Sequence, residues 1–155
     1  MTEQKQNVSL ASLLTPSKTV TVDYPTLSGF SVDLCYLARE ELIKLRSRCV
    51  SQKLNRKTRA FEETLDDEKF VKEFSESTIK NWKGLKLSYL EDLILVDLKG
   101  QNLENEMEHT LENALVLVEN SSEFDNWLNE VVFDLENFRS KEPGNDKKKA
   151  GSIPK

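Results

Sequence analysis

The sequence predicts an α+β fold, mainly helical, in which a β-hairpin near the N-terminus packs on amphipathic helices. Three observations carry that prediction. Apolar residues alternate with polar ones between Thr19 and Tyr36, which is the period of a half-buried strand. From Ala38 the apolar spacing changes to three and four, the period of a helix with one buried face. Polar, unpatterned stretches flank both, so one domain over residues 18–139 is expected between a flexible arm (1–17) and a disordered lysine-rich tail (140–155).

The elements follow in order. In the arm, Leu10, Leu13 and Leu14 allow a turn of helix that Pro16 ends. Val20, Val22 and Tyr24 alternate with Thr19, Thr21 and Asp23, and Phe30, Val32, Leu34 and Tyr36 resume the alternation after Pro-Thr-Leu-Ser-Gly, giving a hairpin with a five-residue loop. Such a hairpin is marginal alone in water, so its apolar face must lie on helices. Ala38 to Leu54 reads as a basic helix with Ala38, Leu42, Leu45, Cys49 and Val50 on one stripe, followed by a linker from Asn55 to Leu65.

The central element is expected to be a helix from Asp66 to Leu85. Thr64 or Asp66 can cap its start, Phe70, Val71, Phe74, Thr78 and Trp82 form its stripe, and Gly84 supplies a left-handed stop. Ser88 with Glu91 reads as a capping box for a short helix through Ile94, and a polar segment from Lys99 to Glu108 follows. Thr110 caps a helix carrying Leu111, Ala114, Leu115 and Val118. Ser122 with Asp125 opens the last helix, whose stripe is Phe124, Trp127, Leu128, Val131, Leu135 and Phe138.

At 155 residues, 32% charged and 37% apolar, the chain is long and apolar enough to bury a core. Cys35 and Cys49 offer no disulfide framework, which points to a reducing compartment, and no window approaches the roughly 20 apolar residues of a membrane span. A soluble protein is expected. The net charge of −5 conceals an asymmetry: Arg39 to Arg59 holds eight basic residues against two acidic, while Gln101 to Asp146 holds two basic against twelve acidic.

Little here suggests catalysis. The lone histidine, His109, reads as a surface residue at a helix start, and one histidine starves a catalytic triad, an HExxH site or a multi-histidine metal site. There is no phosphate-binding glycine motif, so no enzyme, cofactor or metal is expected. The aromatic stripe residues Phe70, Phe74, Trp82, Phe124, Trp127 and Phe138 read first as core and second as a groove for an apolar partner helix. Arg46, Arg48, Lys53 and Arg56 form a basic face suited to weak, head-to-tail association with the acidic face of another copy. An alternative use of that segment, with Arg39, Lys44 and Arg59, is a small nucleic-acid-binding regulator. The acidic C-terminal half and the absence of a recognition motif argue against it.

The order of motifs carries a resemblance. SGFSVDLCYLAREEL, then IKNWKGL, then TLENALVLVENSSEFDNWLNEVVFDLENFR, resembles the tail assembly chaperones of long-tailed bacteriophages over about Tyr24 to Arg139. The resemblance implies a non-catalytic protein of the host cytoplasm, absent from the finished virion. Its partners would be the long, helix-rich tape measure protein, which it keeps soluble, and the tail tube protein, which it helps recruit. No membrane and no nucleic acid partner is implied. Members of this family often have a programmed ribosomal frameshift near the end of their gene, which gives a longer second form. Here Lys147, Lys148 and Lys149 are a run that A-rich slippery codons would encode.

Overall fold

The computed structural model describes residues 8–15 and 17–139; residues 1–7 of the expected arm and the tail 140–155, with Lys147–Lys149, lie outside them. Within the described residues the chain is mixed α and β, with six α-helices and two small antiparallel sheets. A single helical turn, α1 (Leu10–Leu13), precedes β1 (Thr19–Asp23) and β2 (Ser31–Cys35), which pair antiparallel from Thr19↔Cys35 to Asp23↔Ser31. Val32 and Leu34 are fully buried while Ser31 and Asp33 are not, as alternation demands. Tyr24 and Leu27 of the connecting loop are buried too, so the loop closes over the core.

Three helices are shorter than the sequence pattern implies. The basic segment is helical only as α2 (Arg39–Arg48) and then becomes strand β3 (Val50–Asn55). The expected linker is strand β4 (Ala60–Leu65), paired with β3 in a hairpin of its own. Lys53 and Arg56 therefore stand on a strand and a turn, not on a helical face with Arg46 and Arg48. Asn55 closes this hairpin: its Oδ1 accepts from the N–H groups of Lys57 and Thr58 at 2.9 and 3.3 Å, an Asx turn that reverses the chain between the two strands.

The central helix, α3 (Asp67–Thr78), is capped by the Asp66 carboxylate, which accepts from Lys69 N–H at 3.2 Å. It stops at Thr78 instead of running to Leu85, and Ile79–Lys83 form β5, the third strand of the first sheet in the order β1-β2-β5. The helix-like spacing of this strand has a physical cause. A bulge at Asp33/Leu34 lets Val32 face Trp82 and Leu34 face Ile79, so two strand residues three apart share the buried side and imitate a helical period. Gly84 then ends a strand, not a helix.

Beyond it come α4 (Leu87–Leu93), α5 (Leu111–Asn120) and α6 (Ser122–Val132). Thr110 Oγ1 caps α5 through Asn113 N–H at 2.9 Å, and the buried Ser121 Oγ, not Ser122, caps α6 through Phe124 N–H at 3.0 Å. The last helix also ends early. Asp134 takes Glu136 N–H at 3.0 Å and starts a 3-10 turn, Leu135–Phe138, leaving Leu135 exposed and Phe138 buried. The core gathers the inner sheet face (Phe30, Val32, Leu34, Ile79) with Phe74 of α3, Leu117 of α5 and Phe124, Leu128 and Val132 of α6.

A candidate apolar docking groove

The candidate aromatic stripe does not form one surface. Phe74, Trp82, Phe124 and Phe138 are buried, and Phe70 and Trp127 are half-buried. Phe74 stacks between Phe70 and Phe133, each with ring centroids 5.8 Å away, and Phe138 lies 5.2 Å from Tyr36. Tyr24 lies between Phe124 at 6.0 Å and Trp127 at 4.7 Å. The Tyr24 hydroxyl donates to Glu123 at 2.7 Å; burial first, and then that carboxylate, push its pKa far above the ordinary tyrosine value. These are packing roles.

The basic candidates also separate. Arg46 lies over the Phe70 ring at 5.6 Å, and Arg48 pairs with Glu73 at 3.2 Å, so both stitch α2 to α3. Lys53 and Arg56 are exposed on the second hairpin.

One aromatic candidate does reach an open site. Beside Trp82 lies an apolar groove of about 200 Å³. Trp82 and Leu85 at the end of β5 line it, with Leu90 and Ile94 from α4, Val96 and Met107 from the following loop, and Val116 and Leu117 from α5. For scale, an apolar cavity of about 150 Å³ takes up benzene. Leu95, between two lining residues, is fully exposed, and Val116 is exposed at the edge.

The polar segment Lys99–Glu108 builds this groove, a role its composition does not announce. Carbonyls of Asn105 and Leu103 accept the first N–H groups of α4, from Leu87 at 2.8 Å and Ser88 at 3.1 Å, so the expected Ser88–Glu91 capping box is not used. Met107 N–H donates to Leu85 at 2.7 Å, and Glu106 accepts Gly84 N–H at 3.1 Å. The segment is thereby strapped across the W-K-G-L turn. The Trp82 indole N–H in turn donates to the Met107 carbonyl at 2.8 Å, which fixes the ring as one wall.

His109 does not line the groove but is half-buried against its Trp82 wall, not on the exposed surface expected for it. Its ring meets Trp82 edge-on, with centroids 5.1 Å apart at 86°, and Nε2 is buried with no hydrogen-bond partner among the described residues. Burial lowers its pKa below the ordinary histidine value, against a weaker opposing pull from Asp33. Apart from Asn113, the residues that line the groove are apolar. Its surroundings are acidic: residues 86–120 carry eight acidic side chains and two basic. Lys86, one of the two, pairs with Glu104 at 3.2 Å, and that bond raises its pKa.

Among the described residues no group of three or more His, Cys, Asp or Glu side chains could hold a metal ion, and no helix is long and apolar enough to cross a membrane. Cys35 and Cys49 are both buried free thiols, and burial first, then Glu73, raises the pKa of Cys49. What the groove can do is bind an apolar side chain or helix face. Comparison with protein-family models gives no matching family, and comparisons with curated proteins and with solved structures give no match either.

Proposed function

We propose that this chain is a tail assembly chaperone of a long-tailed bacteriophage. In this reading residues 18–139 act as one domain in the host cytoplasm, keep the tape measure protein soluble, and help bring tail tube subunits to it without catalysing a reaction. The observation that carries the reading is that the motif bearing the resemblance builds the groove. Trp82 and Leu85 of W-K-G-L line it, and Gly84 anchors the strap behind it. An apolar slot with acidic surroundings suits one face of an amphipathic helix, the dominant element expected of a tape measure client. The tube subunit and a frameshifted longer form are further proposed partners, together with weak self-association between the basic and acidic surfaces.

Fluorescence anisotropy separates this from the nucleic-acid reading. An amphipathic helical peptide should bind with weak salt dependence, and the groove substitution Val116→Lys should abolish it. Binding to short duplex DNA that falls steeply between low and physiological salt, with no binding to the peptide, would instead establish the regulator.

A further inference from the structure

The hairpin of β3 and β4 stands out from the body. Its root is fixed where Asp66 N–H donates to the carbonyl of buried Cys49 at 2.8 Å, and two six-residue strands run outward, a reach of about 20 Å. Residues 50–54 and 56–64 are all exposed. Residues directly opposite share a face, so Leu54 with Phe61 and Val50 with Leu65 make one side apolar, interrupted by Gln52 and Glu63. Phe61 is 68% exposed and Leu54 54%, at the far end of a two-stranded sheet of a kind that is marginal alone in water. Beyond them Arg56, Lys57 and Arg59 are held in a shaped turn: Arg59 N–H donates to the Asn55 carbonyl at 2.6 Å, and Arg59 adopts φ 60°. An apolar pair backed by three cations needs a partner that is apolar inside and acidic outside.

The chain carries that partner. Outside the groove lining, the exposed Glu112 and Glu119 stand a helical turn to either side of Val116 on α5, and the exposed Glu91 adjoins Leu90 on α4. We propose that the β3–β4 hairpin of one copy docks in the groove of a second copy, with Phe61 and Leu54 inside and Arg56, Lys57 and Arg59 against the acidic rim. Hairpin and groove are different surfaces of the same molecule. The contact is heterologous, and successive copies form an open chain. Each groove is thus covered by a neighbour until a client displaces the hairpin; only this last point rests on the chaperone reading. A phosphate-binding role would use the cations but leaves the Leu54–Phe61 pair without a purpose.

Sedimentation velocity on the full chain at low salt tests it with two variants, Phe61→Asp in the hairpin and Val116→Lys in the groove, both at exposed positions and both checked for folding by circular dichroism. The wild type should grow in size with concentration. Each variant alone should associate about 30-fold more weakly or not at all, as loss of an interface anchor implies. Mixed in equal amounts, the two variants should form one-to-one dimers that grow no further, because one keeps its groove and the other its hairpin. A monomeric wild type overturns both this docking and the self-association proposed above. Wild-type-like assembly by Phe61→Asp, or no dimer in the mixture, overturns the hairpin contact alone. An amphipathic peptide should dissolve wild-type chains. If the mixture dimerises but no peptide binds, the docking stands and the client reading falls. Duplex DNA binding lost in Arg56→Glu and untouched by Phe61→Asp, without assembly, would make the hairpin a nucleic-acid element and overturn the docking.

Discussion

Replacing Gly84 with alanine tests the joint between the first hairpin and the groove. Gly84 has φ +80°, and a Cβ built there would lie 1.9 Å from the Gly29 carbonyl oxygen and 2.7 Å from its carbon. Neither backbone can retreat freely. Gly29 is followed by Phe30, which is fully buried, and Gly84 is followed by Leu85, which is buried in the core and lines the groove. The left-handed conformation alone costs a non-glycine residue about 1 to 2 kcal/mol. Relieving the overlap shifts core residues as well, so the total should reach about 4 kcal/mol or more, which is exceptional for one substitution. Gly100 is the control, with the same φ of +80° but nothing within 4 Å of the added carbon. Gly100→Ala should therefore show only the conformational cost of about 1 to 2 kcal/mol. Urea unfolding followed by tryptophan fluorescence measures both. At about 2 to 4 °C per kcal/mol, Gly84→Ala should also lower Tm by roughly 8 to 16 °C. Equal costs for the two variants would refute the close approach.

Trp82→Ala should destabilise the chain by about 3 to 5 kcal/mol, the range for a truncated core aromatic, while Trp82→Phe should cost about 1 to 3 kcal/mol by leaving the Met107 carbonyl without its donor. A negligible shift in the urea midpoint of Trp82→Ala would mean that Trp82 is a surface residue. His109, whose pKa is lowered by burial against Trp82, contributes stability that is complete above its unfolded pKa of about 6.5 and is lost as pH falls below that value. Unfolding midpoints measured across this window should drop for the wild type and drop less for His109→Phe; identical slopes would refute the burial of His109 against Trp82. Sequencing of the gene should show an A-rich slippery heptamer at Lys147–Lys149 and an open shifted frame beyond it, and its absence would leave the tail without that role.

How legible the fold was depended on the range of the interactions involved. Caps act over three residues, so the Thr110 cap and Asp66 as one of two candidates could be read from the chain, whereas the Ser88 cap is unused and the Ser122 cap falls one residue earlier, on Ser121. The strand β5 could not, because the bulge that gives Ile79 and Trp82 a helical spacing belongs to the pairing with β2, about fifty residues earlier. The strand β3 was hidden for a different reason. Its alternating residues, Val50, Gln52 and Leu54, are exposed and mixed in polarity, so no buried face marks them, and the one local signal was the Asn55 turn. The groove was the least visible. Its lining residues each look like ordinary core positions, and only contacts such as Trp82 to Met107, far apart in sequence, separate a slot from a filled interior. The aromatic stripes, the most conspicuous pattern in the chain, mostly fill the core instead.

The most direct test of the chaperone reading is co-expression with the tape measure protein encoded by the same genome, scored by the fraction of that client in the soluble extract. The client should be insoluble alone, soluble and co-purifying with the wild-type chain, and insoluble again with Val116→Lys. A client that is equally soluble with and without this chain, or that is rescued as well by Val116→Lys as by the wild type, would contradict the chaperone reading.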